Sequence, residues 1–205
     1  KGLCFPNFHK EDFLLPTLSA ILSGYSRELE TGRGFILIRG IPVEFYEHEI
    51  DLNILYFGIG LHMGIPVRQN PRGDFIGTVM NTGDHSDIET RVYETNSYLP
   101  YHSDPSDIVG LLCIRRAKSG GISSLISSTS LYNAMLELHA EHIPLLYQPK
   151  IFPHVGDKPC LSPIFNFHQG LLSCRYMRQY IELGHATIGP PLSAAEKEAF
   201  DLLDQ

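Results

Sequence analysis

Apolar residues recur at helical spacing near the start of the chain, where "LPTLSAILSGYSRELETGRG" places Leu15, Leu18, Leu22, Tyr25 and Leu29 near one face. The pattern predicts a helix closed by Gly32 in the left-handed conformation that commonly ends helices. The period then changes. "GFILIRG", from Gly34 to Gly40, is a short apolar run bounded by glycines and followed by Ile41-Pro42, the profile of a buried strand entering a turn. A second helix is expected from about Glu47 to Leu61. After it, "DFIGTVMNTG" reads as a strand, "TGDHSDIETR" as a polar loop and "YETNSYLPYHSD" as an extended Tyr- and Thr-containing segment. "DIVGLLCIRRA" reads as a nearly continuous apolar strand.

The second half returns to the helical period in "SSTSLYNAMLELHAEHIPLLYQ". "PIFNFHQGLLSCRYM" reads as a hairpin turning at Gln169-Gly170. In "SAAEKEAFDLLDQ", Ser193-x-x-Glu196 is a capping box opening a last helix, with Ala195, Ala199, Leu202 and Leu203 at helical spacing. There is no internal repeat and no low-complexity segment. A chain of 205 residues with 43% hydrophobic content can fill one core, so a single domain over residues 1–205 is expected. The first residue is Lys1, and no stop signal for the last helix precedes Gln205. The expectation is therefore a piece of a longer polypeptide.

Charge and cysteine content narrow the class. The formal net charge is −7 and the sixteen Lys and Arg residues are scattered, which argues against a phosphate-neutralising stripe and hence against nucleic acid as a partner. No apolar run approaches the roughly 20 residues that span a bilayer, and "KGLCFPNFHKEDF" lacks the layout of a signal peptide. A cytoplasmic protein with reduced thiols is expected. Cys4, Cys113, Cys160 and Cys174 form no C-x-x-C pair, and Cys113, within "IVGLLCI", reads as a small buried hydrophobe.

The chemistry concentrates in a tripeptide that occurs twice, as His85-Ser86-Asp87 and as His102-Ser103-Asp104. On an extended segment residues i and i+2 share a face and lie about 6.5 Å apart, so His-x-Asp can converge on one ion. One imidazole and one carboxylate are two thirds of a facial-triad Fe(II) site, which needs a second histidine and open positions. Chance matches are common, so the surroundings must rank the copies. His85 lies among Gly83, Asp84, Asp87 and Glu89 in a polar loop, whereas His102 ends an aromatic run and precedes the most apolar strand. Metal sites need a rigid, partly dry setting, which favours His102 and Asp104. The competing account makes Asp104 and Asp107 turn-capping groups around Pro105.

"YHSDPSDIVGLLCIRRAKSGGISSLISS" resembles the stretch of the TauD/TfdA-like dioxygenases in which a His-x-Asp pair, an apolar strand and a Gly-Gly-x-Thr/Ser turn follow one another. "GRGFILIRGIP", "GIGLHMGIPVRQN", "LYNAMLE", "PIFNFHQGLLSCRYMRQYI" and "PPLSAAEKEAFDLLDQ" are similar to further stretches of that family, so the resemblance covers nearly the whole chain. It implies an Fe(II)- and 2-oxoglutarate-dependent oxygenase, with an α+β or mainly β fold. The core would be a double-stranded β-helix, or jelly roll, with flanking helices and without its C-terminal strands. His102 and Asp104 would be iron ligands, and Ser123 of "GGIS" would bind the distal carboxylate of 2-oxoglutarate. The second iron-binding histidine and the arginine that pairs with 2-oxoglutarate match nothing in the chain.

The implied reaction is hydroxylation, desaturation or cyclisation of a small organic substrate, with O2 consumed and succinate and CO2 released. Tyr98 and Asn81 are the candidate substrate contacts. A second copy of the chain in a homo-oligomer remains an open partner. His154, His168 and His185 stay outside the metal set, and His139 and His142 lack the H-E-x-x-H pattern. Arg175 and Arg178 are given no role. Two rival accounts remain, a non-catalytic jelly-roll fragment or binding module and a zinc hydrolase using the same His/Asp pair.

Overall fold

A computed structural model describes residues 2–70, 72–82, 95–153 and 158–205. The chain divides into two compact units, one of Lys1–Thr78 with Ser106–Ser123 and one of Val79–Pro105 with Ser124–Gln205.

The first unit carries helices α1, Ser19–Thr31, and α2, Glu49–Leu61, with a single 3-10 turn, Val43–Phe45, between them. Helix α1 buries Leu22, and α2 opens with Glu49 and Asp51, carboxylates that complement the positive end of a helix dipole. Phe57 of α2 is buried among aromatic rings: Phe5 and Phe8 meet it edge-on at 5.3 Å, and Phe75 at 5.7 Å. Gly58 next to it is a requirement of packing. A Cβ there would stand 2.5 Å from the Phe13 ring.

The end of α1 differs in detail from expectation. Gly32 has φ −104, and its N–H reaches the Glu28 carbonyl at 3.0 Å. The left-handed residue is Gly34, at φ 79. Gly32 is needed for another reason, since a Cβ there would lie 2.7 Å from the same carbonyl oxygen.

The expected strands over Gly34–Gly40, over 74–82 and over 107–117 do not form. Leu37 and Leu111 are 69% and 75% exposed, and Cys113 is exposed rather than buried. A strand exists only where its N–H and C=O groups find a ladder partner. Among the described residues, no ladder includes these segments.

The second unit holds the larger core. Helix α3, Ser128–Leu138, is capped by Ser127, whose Oγ accepts from the Ser130 N–H at 3.2 Å. The helical period of the sequence continues past it, but the backbone breaks at His139, passes through a 3-10 turn at Ala140–His142 and resumes as α4, Ile143–Leu146. Two antiparallel pairs follow. Strand β1, Lys150–Phe152, pairs with β2, Cys160–Ser162; β3, Phe165–His168, pairs with β4, Leu171–Cys174. Gln169 and Gly170 connect β3 to β4 with φ 50 and φ 82, the two positive dihedrals of a type I′ hairpin turn.

Helices α5, Arg178–Thr187, and α6, Ala194–Leu203, complete the unit. The capping box of α6 is present in full: Glu196 N–H donates to Ser193 Oγ at 3.2 Å, and Ser193 N–H donates to Glu196 Oε2 at 2.9 Å. Ala199, Phe200 and Leu203 of α6 join Met135, Leu146, Phe152, Ile164, Phe165 and Ile181 in one apolar cluster. Ala195, expected on that stripe, is exposed, because the buried face is the one carrying Glu196. Helix α5 and the β1–β2 pair carry no signal that the sequence reading used.

Among the described residues the fold is thus α+β, with two small two-stranded sheets. Among the described residues no helix is long and apolar enough to cross a membrane.

Candidate metal centre

His102 and Asp104 lie in an irregular segment of the second unit, between Pro100 and Pro105. Their side chains converge, with His102 Nε2 3.8 Å from Asp104 Oδ1. Two donors each about 2.1 Å from one ion stand about 3.0 Å apart at adjacent octahedral positions, so the pair lies within about 1 Å of the separation that a shared cation requires. The other ring nitrogen sets the tautomer. His102 Nδ1 lies 2.7 Å from the Pro100 carbonyl, which can only accept, so Nδ1 carries a proton and the ring turns Nε2 toward Asp104. The imidazole is mostly buried and the carboxylate about half exposed.

Ser103, between the two, turns to a different partner. Its N–H donates to the Tyr176 carbonyl at 2.7 Å, and its Oγ accepts from the Tyr176 N–H at 2.8 Å. Tyr176 lies two residues past the end of β4 and is 5% exposed. Its ring packs on Phe200, and its hydroxyl donates to Asp204 Oδ1 at 2.9 Å. Burial, reinforced by the Asp204 charge, pushes the phenol well above its ordinary range. Arg178 then binds Asp204 at 2.8 Å, Asp201 at 2.7 Å and Glu182 at 2.8 Å, and these carboxylates hold its guanidinium still more firmly protonated. The His-x-Asp segment is thereby tied to the exit of β4 and, through Tyr176, to the end of α6.

The remaining expected site residues stand as follows. Ser123 belongs to the first unit and is exposed, and Gly120 and Gly121 ahead of it sit in the left-handed region at φ 69 and φ 67. Tyr98 and Asn81, both in the second unit, are exposed, and no hydrogen bond joins either to His102 or Asp104. His85, Asp87 and His154 lie outside the described residues. His185 is a satisfied core histidine: Nε2 accepts from the Ile151 N–H at 3.2 Å and Nδ1 faces the Pro190 carbonyl at 2.7 Å. His168 is exposed at the tip of the β3–β4 hairpin. Among the described residues no third His, Cys, Asp or Glu joins the His102–Asp104 pair.

The sequence reading missed Ser103, Tyr176 and the Arg178 cluster. Arg178–Glu182 was legible as an i, i+4 pair. Nothing in the spacing announces a contact between Ser103 and Tyr176, 73 residues apart. Arg175 lies over the Phe152 ring at 4.6 Å, a packing role.

Comparison with known proteins defines the class. Residues 3–205 match the taurine catabolism dioxygenase TauD, TfdA family, and the chain belongs to that family. Among its relatives, FR-33289 synthase of Streptomyces rubellomurinus (strain ATCC 31215) is 34% identical over all of this chain and 63% of the relative. The taurine hydroxylase-like protein SAT17 of Stachybotrys chartarum (strain CBS 109288 / IBT 7711) is 30% identical over 93% of this chain and 53% of the relative. The chain therefore spans less than two thirds of either relative. The family is one of dioxygenases acting on small molecules, generally with Fe(II) and 2-oxoglutarate.

Proposed function

We propose that the protein is an Fe(II)- and 2-oxoglutarate-dependent oxygenase of a small organic substrate, with His102 and Asp104 as iron ligands on a jelly-roll core. The observation that carries this reading is the His102 ring: its Nδ1 is spent on the Pro100 carbonyl, and its Nε2 faces Asp104 Oδ1 at 3.8 Å. Family membership and a relative named as hydroxylase-like support it.

When bound, the iron and 2-oxoglutarate supply oxygen activation coupled to oxidative decarboxylation, with succinate and CO2 as coproducts. The chain's own part is positional. His102 offers Nε2, whose orientation the Pro100 carbonyl fixes through Nδ1, and Asp104 offers a carboxylate oxygen on the same side. Ser123 supplies a hydroxyl suited to a carboxylate, on a backbone bent by two left-handed glycines. Tyr98 and Asn81 border the substrate in this reading, and hydroxylation is the default outcome.

The test uses the full-length protein. Anaerobic addition of Fe(II) and 2-oxoglutarate should give a weak visible charge-transfer band, and oxygen should then yield succinate. Absence of both from a folded preparation defeats the reading, and hydrolytic activity with zinc alone replaces it. His102→Ala should abolish the band and His85→Ala should leave it; equal loss from both would mean that the wrong tripeptide was chosen.

A further inference from the structure

We propose that Ser103 is a positioning residue for the metal pair, acting through the backbone of Tyr176; this rests on the reading of His102 and Asp104 as ligands. Side chains that alternate along a chain send the middle residue of His-x-Asp away from the pair. The Ser103 hydroxyl does point elsewhere, to the Tyr176 N–H at 2.8 Å, while the Ser103 N–H holds the Tyr176 carbonyl at 2.7 Å. These two bonds fix both the position and the rotation of the peptide units flanking Ser103. His102 and Asp104 lie in irregular backbone, with no ladder to hold them.

Tyr176 is a suitable anchor because it cannot drift. It is buried, stacked edge-on against Phe200 and bonded to Asp204, which Arg178 clamps. A second pin sits at Pro100, whose carbonyl orients the His102 ring. With Ser103 as alanine, the Tyr176 N–H loses its acceptor and one of the two constraints is gone. The His102–Asp104 separation would then vary, and ligand geometry that is no longer fixed in advance binds metal more weakly.

The experiment is a titration of the full-length protein with Mn(II) alone, read by loss of the free-ion EPR signal, beside a urea unfolding curve for each variant. Ser103→Ala should weaken Mn(II) binding by about 10- to 100-fold, the range for residues that orient ligands. Ser103→Thr, which keeps the hydroxyl, should restore it. A purely structural role would lower the unfolding midpoint and leave the Kd of the folded protein unchanged, and that result overturns the proposal. Should Ser103→Ala not fold, Ser103→Cys, nearly isosteric and a weaker acceptor, reads the same quantity with the same two outcomes. His102→Ala separates the levels. If it loses Mn(II) and Ser103→Ala does not, only the positioning role falls; if it keeps the parent affinity, the metal reading falls as well.

Discussion

His102 and His185 differ in the use of one nitrogen, and that difference separates the proposed ligand from a scaffold residue. Both direct Nδ1 to a proline carbonyl at 2.7 Å. His185 also accepts the Ile151 N–H at its Nε2, whereas Nε2 of His102 faces a carboxylate. Removing the His185 ring leaves a buried N–H unsatisfied and opens a cavity beside Gly184 and Gly189, both of which approach the Ile151 side chain. His185→Ala should destabilise the protein by about 2–4 kcal/mol in urea unfolding. Mn(II) affinity should stay at the parent value; a lost affinity with unchanged stability would move His185 into the ligand set. The sequence supports leaving His185 out of the metal set but contains no sign of its partner Ile151, because that hydrogen bond depends on how β1 and α5 meet; the Pro190 contact is local, five residues on.

At the scale of elements, the hairpin β3–β4 delivers Tyr176 to the core, so its turn matters to the site. Gly170 sits at φ 82, where an alanine Cβ meets backbone strain of about 1–2 kcal/mol. Gly170→Ala should lower the unfolding free energy by about that much, and an unchanged midpoint would show that the turn relaxes to another type. Ser193→Ala removes the acceptor of the capping box and should reduce stability by about 1 kcal/mol, measured in the same way.

What the sequence revealed at this scale follows a physical rule. The Gln169-Gly170 hairpin, the Ser193–Glu196 box and helix α2 rest on contacts within a few residues and formed where expected, whereas α1 starts only at Ser19 and the helical stretch expected through Gln148 breaks at His139. The runs "GFILIRG" and "DIVGLLCIRRA" need partners distant in sequence. Their apolar composition records an affinity for burial, and composition alone cannot name the strand that would satisfy the backbone. The approach of His102 to Asp104 needs only neighbours in the chain, whereas the contact proposed for Ser123 does not.

At the scale of the molecule, the family assignment covers residues 3–205, while the elements among the described residues are α+β with two small sheets. The second unit is held by more than apolar contact. Lys150 of β1, 1% exposed, donates to Glu196 Oε1 at 2.6 Å, joining the sheet to the first turn of α6. Burial alone would raise the Glu196 carboxyl; hydrogen bonds from Lys150 and from the Ser193 backbone and hydroxyl outweigh it and bring the pKa down from 4.5 to about 2. A depressed carboxyl pKa stabilises the folded state above the unfolded value, and that contribution is lost as pH falls through the folded one. Stability should therefore decline between pH 4.5 and about 2, by at most about 3 kcal/mol from this group. In Lys150→Met the strongest of those hydrogen bonds is gone, the carboxyl reverts toward the value that burial favours, and the acid slope should shrink even if stability at neutral pH also drops. Urea midpoints followed across that pH window in both proteins check the point, and an equal slope in the variant would place the acid sensitivity elsewhere.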